Sequence, residues 1–94
     1  MENSTVKKSP AQSAAKKTIT GRIVDATGEP LIGVTIMEKG TTNGSITDYD
    51  GNYTVNVPGN AVLQFSYIGY KSVEVKVEGK EVIDLTMHED TEVL

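Results

Sequence analysis

The sequence predicts an all-β domain in which seven short strands form a two-sheet sandwich. From Thr18 onwards, apolar residues alternate with polar ones, and Gly, Asn, Asp or Pro interrupts the alternation roughly every 8–12 residues. No stretch keeps the period of about 3.6 residues that marks an amphipathic helix. Strands with one apolar face must bury that face, and two packed sheets do so.

The first two strands are predicted at about residues 18–25 and 31–38. The first alternates Ile19, Gly21 and Ile23 on one face. A turn at residues 26–30 follows, because proline cannot donate a hydrogen bond to a sheet. On the second strand we expect Gly33 to mark a bulge or a close backbone approach. The residues expected to point inward there are Ile32, Val34 and Ile36.

The third and fourth strands are predicted at residues 45–47 and 53–57, joined by a hairpin at Asp50-Gly51. Asp-Gly favours a type I′ turn, which needs positive φ at both central residues. The last three strands are expected at residues 61–67, 70–77 and 82–87. The residues expected to point inward on them are Leu63, Phe65, Tyr67, Val73, Val75, Val77, Ile83, Leu85 and Met87.

Length and charge restrict the domain organisation. The 94 residues suffice for one domain. We expect a disordered leader at residues 1–17, the sandwich at 18–87 and an acidic linker at 88–94, and no internal repeat is visible. The leader sums to +3 and residues 18–94 to −7, which together give the net charge of −4. An acidic body repels phosphate backbones, so we expect no nucleic-acid partner.

Candidate catalytic groups are few. The absence of Cys excludes a disulfide scaffold and a thiolate metal site, and His88 is the only histidine. Asp48 and Asp50 are predicted at an exposed turn, whereas carboxylates that act as general acids or bases lie in a pocket. An EF-hand loop with Gly51 at its sixth position would need a ligand at Ile46, so it fails. The sequence therefore predicts no enzyme, no metal and no cofactor.

All five aromatic residues lie between positions 49 and 70. Such a cluster is typical of a core, although it can also form a platform on which sugars stack. The residues considered for that ligand surface are Tyr49, Tyr53, Tyr67 and Tyr70.

Three stretches resemble a known family: GRIVDATGEPLIGVTI at residues 21–36, GTTNGSITDYDGNY at 40–53 and LQFSYIGY at 63–70. They resemble the carboxypeptidase regulatory-like domains, which implies a Greek-key sandwich of the transthyretin (prealbumin) kind. The resemblance assigns turn or fold roles to Gly21, Asp25, Gly28, Pro30, Gly33, Gly44, Asp48, Gly51, Tyr53, Gly69 and Tyr70.

The chain resembles the variety found as the N-terminal extension of SusC-like TonB-dependent outer-membrane transporters. That resemblance implies a periplasmic domain below a barrel that imports nutrients such as glycans. The implied partners are TonB-complex components or the transporter's plug, with a SusD-like lipoprotein on the full transporter and membrane contact through the barrel alone. No apolar segment follows Met1, so we expect the signal peptide to be missing from this chain.

Three roles remain open for such a domain. It can contact other proteins during TonB coupling, bind carbohydrate, or act as a spacer attached to a peptidase or another enzyme.

Overall fold

The computed structural model describes residues 16–91. Seven strands lie within this range. They are β1 (Lys16–Val24), β2 (Thr35–Glu38), β3 (Gly44–Ile46), β4 (Asn52–Pro58), β5 (Val62–Ser66), β6 (Val73–Lys76) and β7 (Leu85–Thr86).

The strands form two sheets, with the orders β4-β1-β7 and β3-β2-β5-β6. Neighbouring strands are antiparallel except β1 and β7, which run parallel. The predicted seven-stranded sandwich is therefore confirmed. Among residues 16–91, no helix is long and apolar enough to cross a membrane.

The core lies between the sheets and is formed by alternate residues, as the period of a strand requires. Tyr53 is buried, its ring packs edge-on against Phe65 at 5.8 Å, and its hydroxyl donates to the Ile83 carbonyl at 2.7 Å. Gly21 faces the same carbonyl so closely that a Cβ would collide with it. The fully buried side chains are Ile19, Ile23, Val34, Ile36, Val57, Leu63, Phe65, Val77 and Met87.

The second strand begins four residues later than predicted. Pro30 forms a bridge with Val24, and the Leu31 N–H donates to the Ile23 carbonyl, so this segment pairs with β1 first. The chain then turns at Gly33, where φ is +85°. As a result Leu31 is buried and Ile32 is 56% exposed, so the inward placement of Ile32 was wrong.

The predicted type I′ hairpin at Asp50-Gly51 is also wrong. Gly51 has a φ of +80°, but Asp50 is not among the residues with positive φ. The Gly51 N–H instead donates to the Asp48 carbonyl at 2.9 Å, which makes Tyr49 and Asp50 the central residues of the turn. The strands on its two sides belong to different sheets, because β3 pairs with β2 and β4 pairs with β1.

Both ends of the described chain are paired with the sandwich. β1 begins at Lys16, which lies opposite Pro58, so two residues of the predicted leader belong to a strand. At the other end, Glu89 forms a bridge with Tyr70 inside the predicted linker. The remaining parts of those two predicted segments, residues 1–15 and 92–94, lie outside the described residues.

Candidate interaction surface

Two loops of five residues, 25–29 and 48–52, share one hydrogen-bond pattern. In each, the first residue is Asp, the fourth is Gly, and the Asp Oδ1 accepts the N–H groups of the third and fifth residues. For Asp25 the donors are Thr27 (2.8 Å) and Glu29 (3.0 Å), and for Asp48 they are Asp50 (2.9 Å) and Asn52 (3.0 Å). This short internal repeat was not predicted, although the Asp-x-x-Gly spacing can be seen in the sequence.

The Asp25 carboxylate accepts more hydrogen bonds than the Asp48 carboxylate of the second loop. Its Oδ1 also accepts the Thr27 hydroxyl at 2.6 Å. This side-chain bond, with backbone bonds from Glu29, Thr27 and Gly28, lowers the pKa of Asp25 against the smaller opposing effect of desolvation. The ionised carboxylate of Asp25 therefore stabilises the folded loop.

Both loops lie at the same end of the sandwich, because β1 runs into the first and the antiparallel β4 leaves the second. Arg22 of β1 holds the second loop, since its Nε donates to the Asp50 carbonyl at 3.1 Å. Thr47, which precedes the second loop, is held in place by buried hydrogen bonds of its side chain. Its buried Oγ1 accepts the Val34 N–H at 2.9 Å and donates to the Leu31 carbonyl at 2.7 Å.

The four tyrosines considered as a ligand surface do not lie together. Tyr53 is buried in the core, so it cannot belong to a surface, and burial raises its pKa to about 12, with a smaller contribution from Asp84. Tyr67 and Tyr70 do meet, with ring centroids 5.4 Å apart and planes tilted by 44°. Tyr49 is 76% exposed and belongs to neither the Tyr53–Phe65 pair nor the Tyr67–Tyr70 pair.

Tyr70 lines a depression near the first loop and the end of the described chain. Partial desolvation raises the pKa of Tyr70, and the charges of Glu89 and Asp25 raise it further. The lining residues of this depression are Asp25, Ala26, Thr27, Tyr70, Met87, His88, Glu89 and Thr91.

Part of the four-stranded sheet, from the edge strand β3 across β2 to the end of β5, carries an uncharged surface, here called the uncharged face. Two shallow depressions on it meet at Thr35, and no charged side chain of the described residues lines either one. Ile68 (90%) and Ile46 (63%) are its most exposed apolar side chains. The uncharged face consists of Gly33, Thr35, Met37, Thr42, Gly44, Ser45, Ile46, Ser66, Tyr67 and Ile68.

This surface was not predicted from the sequence. Ile46 lies in a predicted strand and Ile68 just after one, and local alternation does not show which face of a strand is covered, because the register decides it. Ile46 lies opposite Thr35, and Thr35 opposite Ser66, so all three point away from the core.

Comparison with known proteins agrees with the fold and identifies the family. The family model described as the CarboxypepD_reg-like domain matches residues 19–94. The chain belongs to the CarboxypepD_reg-like domain family. The resemblance found in the sequence is thereby confirmed.

Curated proteins similar to this CarboxypepD_reg-like domain are much longer. A TonB-dependent receptor of Formosa agariphila is 49% identical over 74 residues, which cover 78% of this chain and 7% of the receptor. The TonB-dependent receptor SusC of Bacteroides thetaiotaomicron is 38% identical over 81 residues, which cover 86% of this chain and 8% of the receptor. The chain thus spans less than a tenth of the receptors it matches.

Solved structures share the fold at low sequence identity. A chain from an interface mutant of a type II Cohesin-X-Dockerin complex of Acetivibrio cellulolyticus superposes with a TM-score of 0.62 at 21% identity, covering 78% of this chain and 58% of that one. A DUF3823 family protein of Parabacteroides merdae gives a TM-score of 0.51 at 14% identity, covering 82% and 47%. At these identities the likeness establishes the sandwich alone.

Proposed function

We propose that this domain is a non-catalytic accessory domain of a SusC-like TonB-dependent outer-membrane transporter, held at the periplasmic face of the membrane. The observation that carries the proposal is the similarity to receptors of that kind over more than three quarters of this chain. A segment that matches less than a tenth of such a receptor is too small to be its transport machinery, so its role is auxiliary.

We further propose that the auxiliary role is contact with another protein. The uncharged face supports this, because it exposes large apolar side chains on a chain whose net charge is −4. Large apolar side chains exposed within an uncharged area of the surface are typical of an interaction site. The proposed partners are components of the TonB complex or the transporter's own plug; a SusD-like lipoprotein is the proposed partner of the full transporter.

Deleting residues 16–91 from the parent transporter tests the proposal. We expect nutrient uptake and co-purification with TonB to fall while the amount of barrel in the outer membrane stays constant. Uptake and TonB binding equal to those of the intact transporter would contradict the proposal. Full recovery with an unrelated β-sandwich of the same size in place of residues 16–91 would instead establish a spacer.

A matched pair of substitutions tests the uncharged face itself. Ile68 and Val82 are both exposed, at 90% and 60%, but Val82 bridges to Thr20 on the other sheet. We expect Ile68→Asp to lower uptake and Val82→Asp to leave it unchanged. Equal effects of the two substitutions would show that the uncharged face is not the contact.

Carbohydrate binding is a second candidate, favoured by the Tyr67–Tyr70 pair beside the depression that contains Asp25 and Glu89. Aromatic faces next to carboxylates can stack on and hydrogen-bond to sugar rings. A titration of the labelled chain with oligosaccharides tests it by the resonances of Tyr67 and Tyr70. The absence of shifts at millimolar sugar would exclude this function, with Tyr49 as an exposed reference.

A further inference from the structure

The last strand lies beside the first one and runs in the same direction. β7 pairs parallel with β1, in the register Ile23↔Leu85 and Val24↔Thr86. The described chain begins at the start of β1 and continues to Thr91, beyond the end of β7. The two ends of the described chain therefore lie at opposite ends of the β1–β7 pair.

The pairing of the two segments extends beyond the two residues of β7. Four hydrogen bonds of 2.8–3.0 Å join residues 20–24 of β1 to residues 81–87, in addition to the β1–β7 ladder. They run from the Thr20 N–H to the Glu81 carbonyl, from the Ile83 N–H to the Thr20 carbonyl, from the Arg22 N–H to the Asp84 Oδ1 and from the Met87 N–H to the Val24 carbonyl.

The residues that follow β7 are fixed to the other sheet. The Lys71 N–H donates to the His88 carbonyl at 2.9 Å, and the Asp90 N–H donates to the Gly69 carbonyl at 2.9 Å. Residues 69–71 lead from β5 into β6 of the four-stranded sheet. The last part of the described chain is therefore attached to both sheets of the sandwich.

Parallel pairing determines how this attachment responds to tension. A pull on the two ends of the described chain moves β1 and residues 81–87 in opposite directions along their common axis. The hydrogen bonds lie across that axis, so they are loaded together and must break together, and the buried Ile83 and Met87 must move past the core. Resistance to forced unfolding depends on the height of this barrier, through the rate of unfolding.

We propose that residues 20–24 and 81–87 form a mechanical clamp, through which the folded domain withstands tension between its two ends. The inference goes beyond the proposed contact function, since it assigns the domain a load-bearing role. In a receptor more than ten times longer than this chain, tension from neighbouring segments would reach the domain through those ends. The clamp is a property of the chain itself, so it can fail independently of the proposed function.

Single-molecule pulling on the 94-residue chain tests the clamp in two geometries. The chain has no cysteine, so two introduced cysteines define where the force acts. Handles at Lys16→Cys and Thr91→Cys shear the clamp. Handles at Lys16→Cys and Asn60→Cys pull at one end of the β1–β4 ladder, where Lys16 lies opposite Pro58, and open that ladder pair by pair. We expect the first geometry to require a several-fold higher force, although the β1–β4 ladder has seven residue pairs.

A matched pair of substitutions tests which hydrogen bonds bear the load. Asp84→Ala removes the acceptor of the Arg22 N–H in the clamp, and Asn56→Ala removes the acceptor of the Thr18 hydroxyl between β1 and β4. We expect Asp84→Ala to lower the unfolding force between positions 16 and 91 but not between positions 16 and 60. Asn56→Ala should leave the force between positions 16 and 91 unchanged.

Two outcomes would overturn the inference. One is an equal or higher force between positions 16 and 60 in the chain without Asp84→Ala, a comparison that does not need that variant to fold. The other is an equal loss of force in both geometries on Asp84→Ala, which would indicate general destabilisation. If the clamp fails these tests while deletion of residues 16–91 still lowers uptake, the proposed contact function stands without it.

Discussion

The loops of residues 25–29 and 48–52 have the same Asp-x-x-Gly pattern and the same backbone and carboxylate bonds, yet only the second is packed against the core. A Cβ added at Gly28, where φ is +90°, would meet no atom within 4 Å. A Cβ added at Gly51, where φ is +80°, would lie 2.6 Å from the Ile23 carbonyl oxygen and 3.0 Å from the Pro30 Cβ.

The difference separates two reasons for a glycine. The local reason is the positive φ that ends the turn, and both loops share it. The tertiary reason is contact with a neighbouring strand, and only the second loop has it, because Ile23 also donates its N–H to the Gly51 carbonyl at 2.8 Å. The same substitution in the two loops therefore measures the two contributions separately.

The largest effect is expected for Gly51→Ala. Because the new methyl group would overlap the backbone of β1, we expect a loss of about 3–5 kcal/mol in the free energy of unfolding. Gly28→Ala should lose only about 1–2 kcal/mol, the cost of a left-handed backbone conformation in a residue with a Cβ. Urea denaturation of both variants measures the difference, and similar midpoints would show that Gly51 is not closely packed.

The second largest difference in stability is expected between substitutions of the two residues that precede the loops. Thr47→Val leaves the buried Val34 N–H and Leu31 C=O without partners, so we expect a loss of about 2–3 kcal/mol. Thr47→Ser keeps the hydroxyl and should lose about 1 kcal/mol for the missing methyl group. Before the first loop, Val24→Thr should change stability by less than about 0.5 kcal/mol. Thermal unfolding of the three variants tests this order, which a harmless Thr47→Val would refute.

The carboxylates of the two loops should behave alike. Asp48→Ala removes the acceptor of two N–H groups, much as loss of a helix N-cap does, and should cost about 1–2 kcal/mol. Asp48→Asn keeps an acceptor oxygen and should recover most of that loss. Asp25→Ala should destabilise in the same direction, again with recovery by Asn. Melting temperatures of the four variants provide the test, and no gain from Asn over Ala would mean that Oδ1 is not the important atom.

The smallest effect concerns pH and Asp25 alone. Its pKa in the folded state is below the ordinary value for an aspartate, because the hydrogen bonds of the folded loop favour the charged form. Its contribution to stability is therefore complete above the unfolded pKa and disappears as the pH falls through the folded pKa. The melting-temperature difference between the unsubstituted chain and Asp25→Asn should shrink below about pH 4. A difference that grows on acidification would contradict the hydrogen-bond assignment.

Much of the fold could be predicted from the sequence, because β1 and β4 to β6 alternate cleanly and turn residues bound them. The failures have physical causes. The strand predicted at residues 82–87 is limited to Leu85–Thr86. One reason is that the Asp84 side chain accepts the Arg22 N–H at 2.9 Å, a bond that a backbone carbonyl of the strand would otherwise accept. The predicted strand at 31–38 broke because residues 30 and 31 bonded to β1 before the chain turned at Gly33.

The candidate surfaces were harder to predict than the strands. Tyr53 and Tyr70 look alike in sequence, but the Tyr53 hydroxyl has a buried partner in Ile83, and Tyr53 is core. The uncharged face depends on which side of β2, β3 and β5 is covered. That side is set by register, and a slip of one residue would reverse it.

The sequence by itself determined the all-β class, the turn residues and the family, since a period of two, Asp-x-x-Gly loops and motif order are properties of neighbouring residues. Only the tertiary structure decided which loop glycine is packed, which tyrosine belongs to the core and which isoleucines are exposed. These depend on contacts between residues far apart in the chain, such as Gly51 with Ile23 and Thr35 with Ser66, and local patterns carry no information about them.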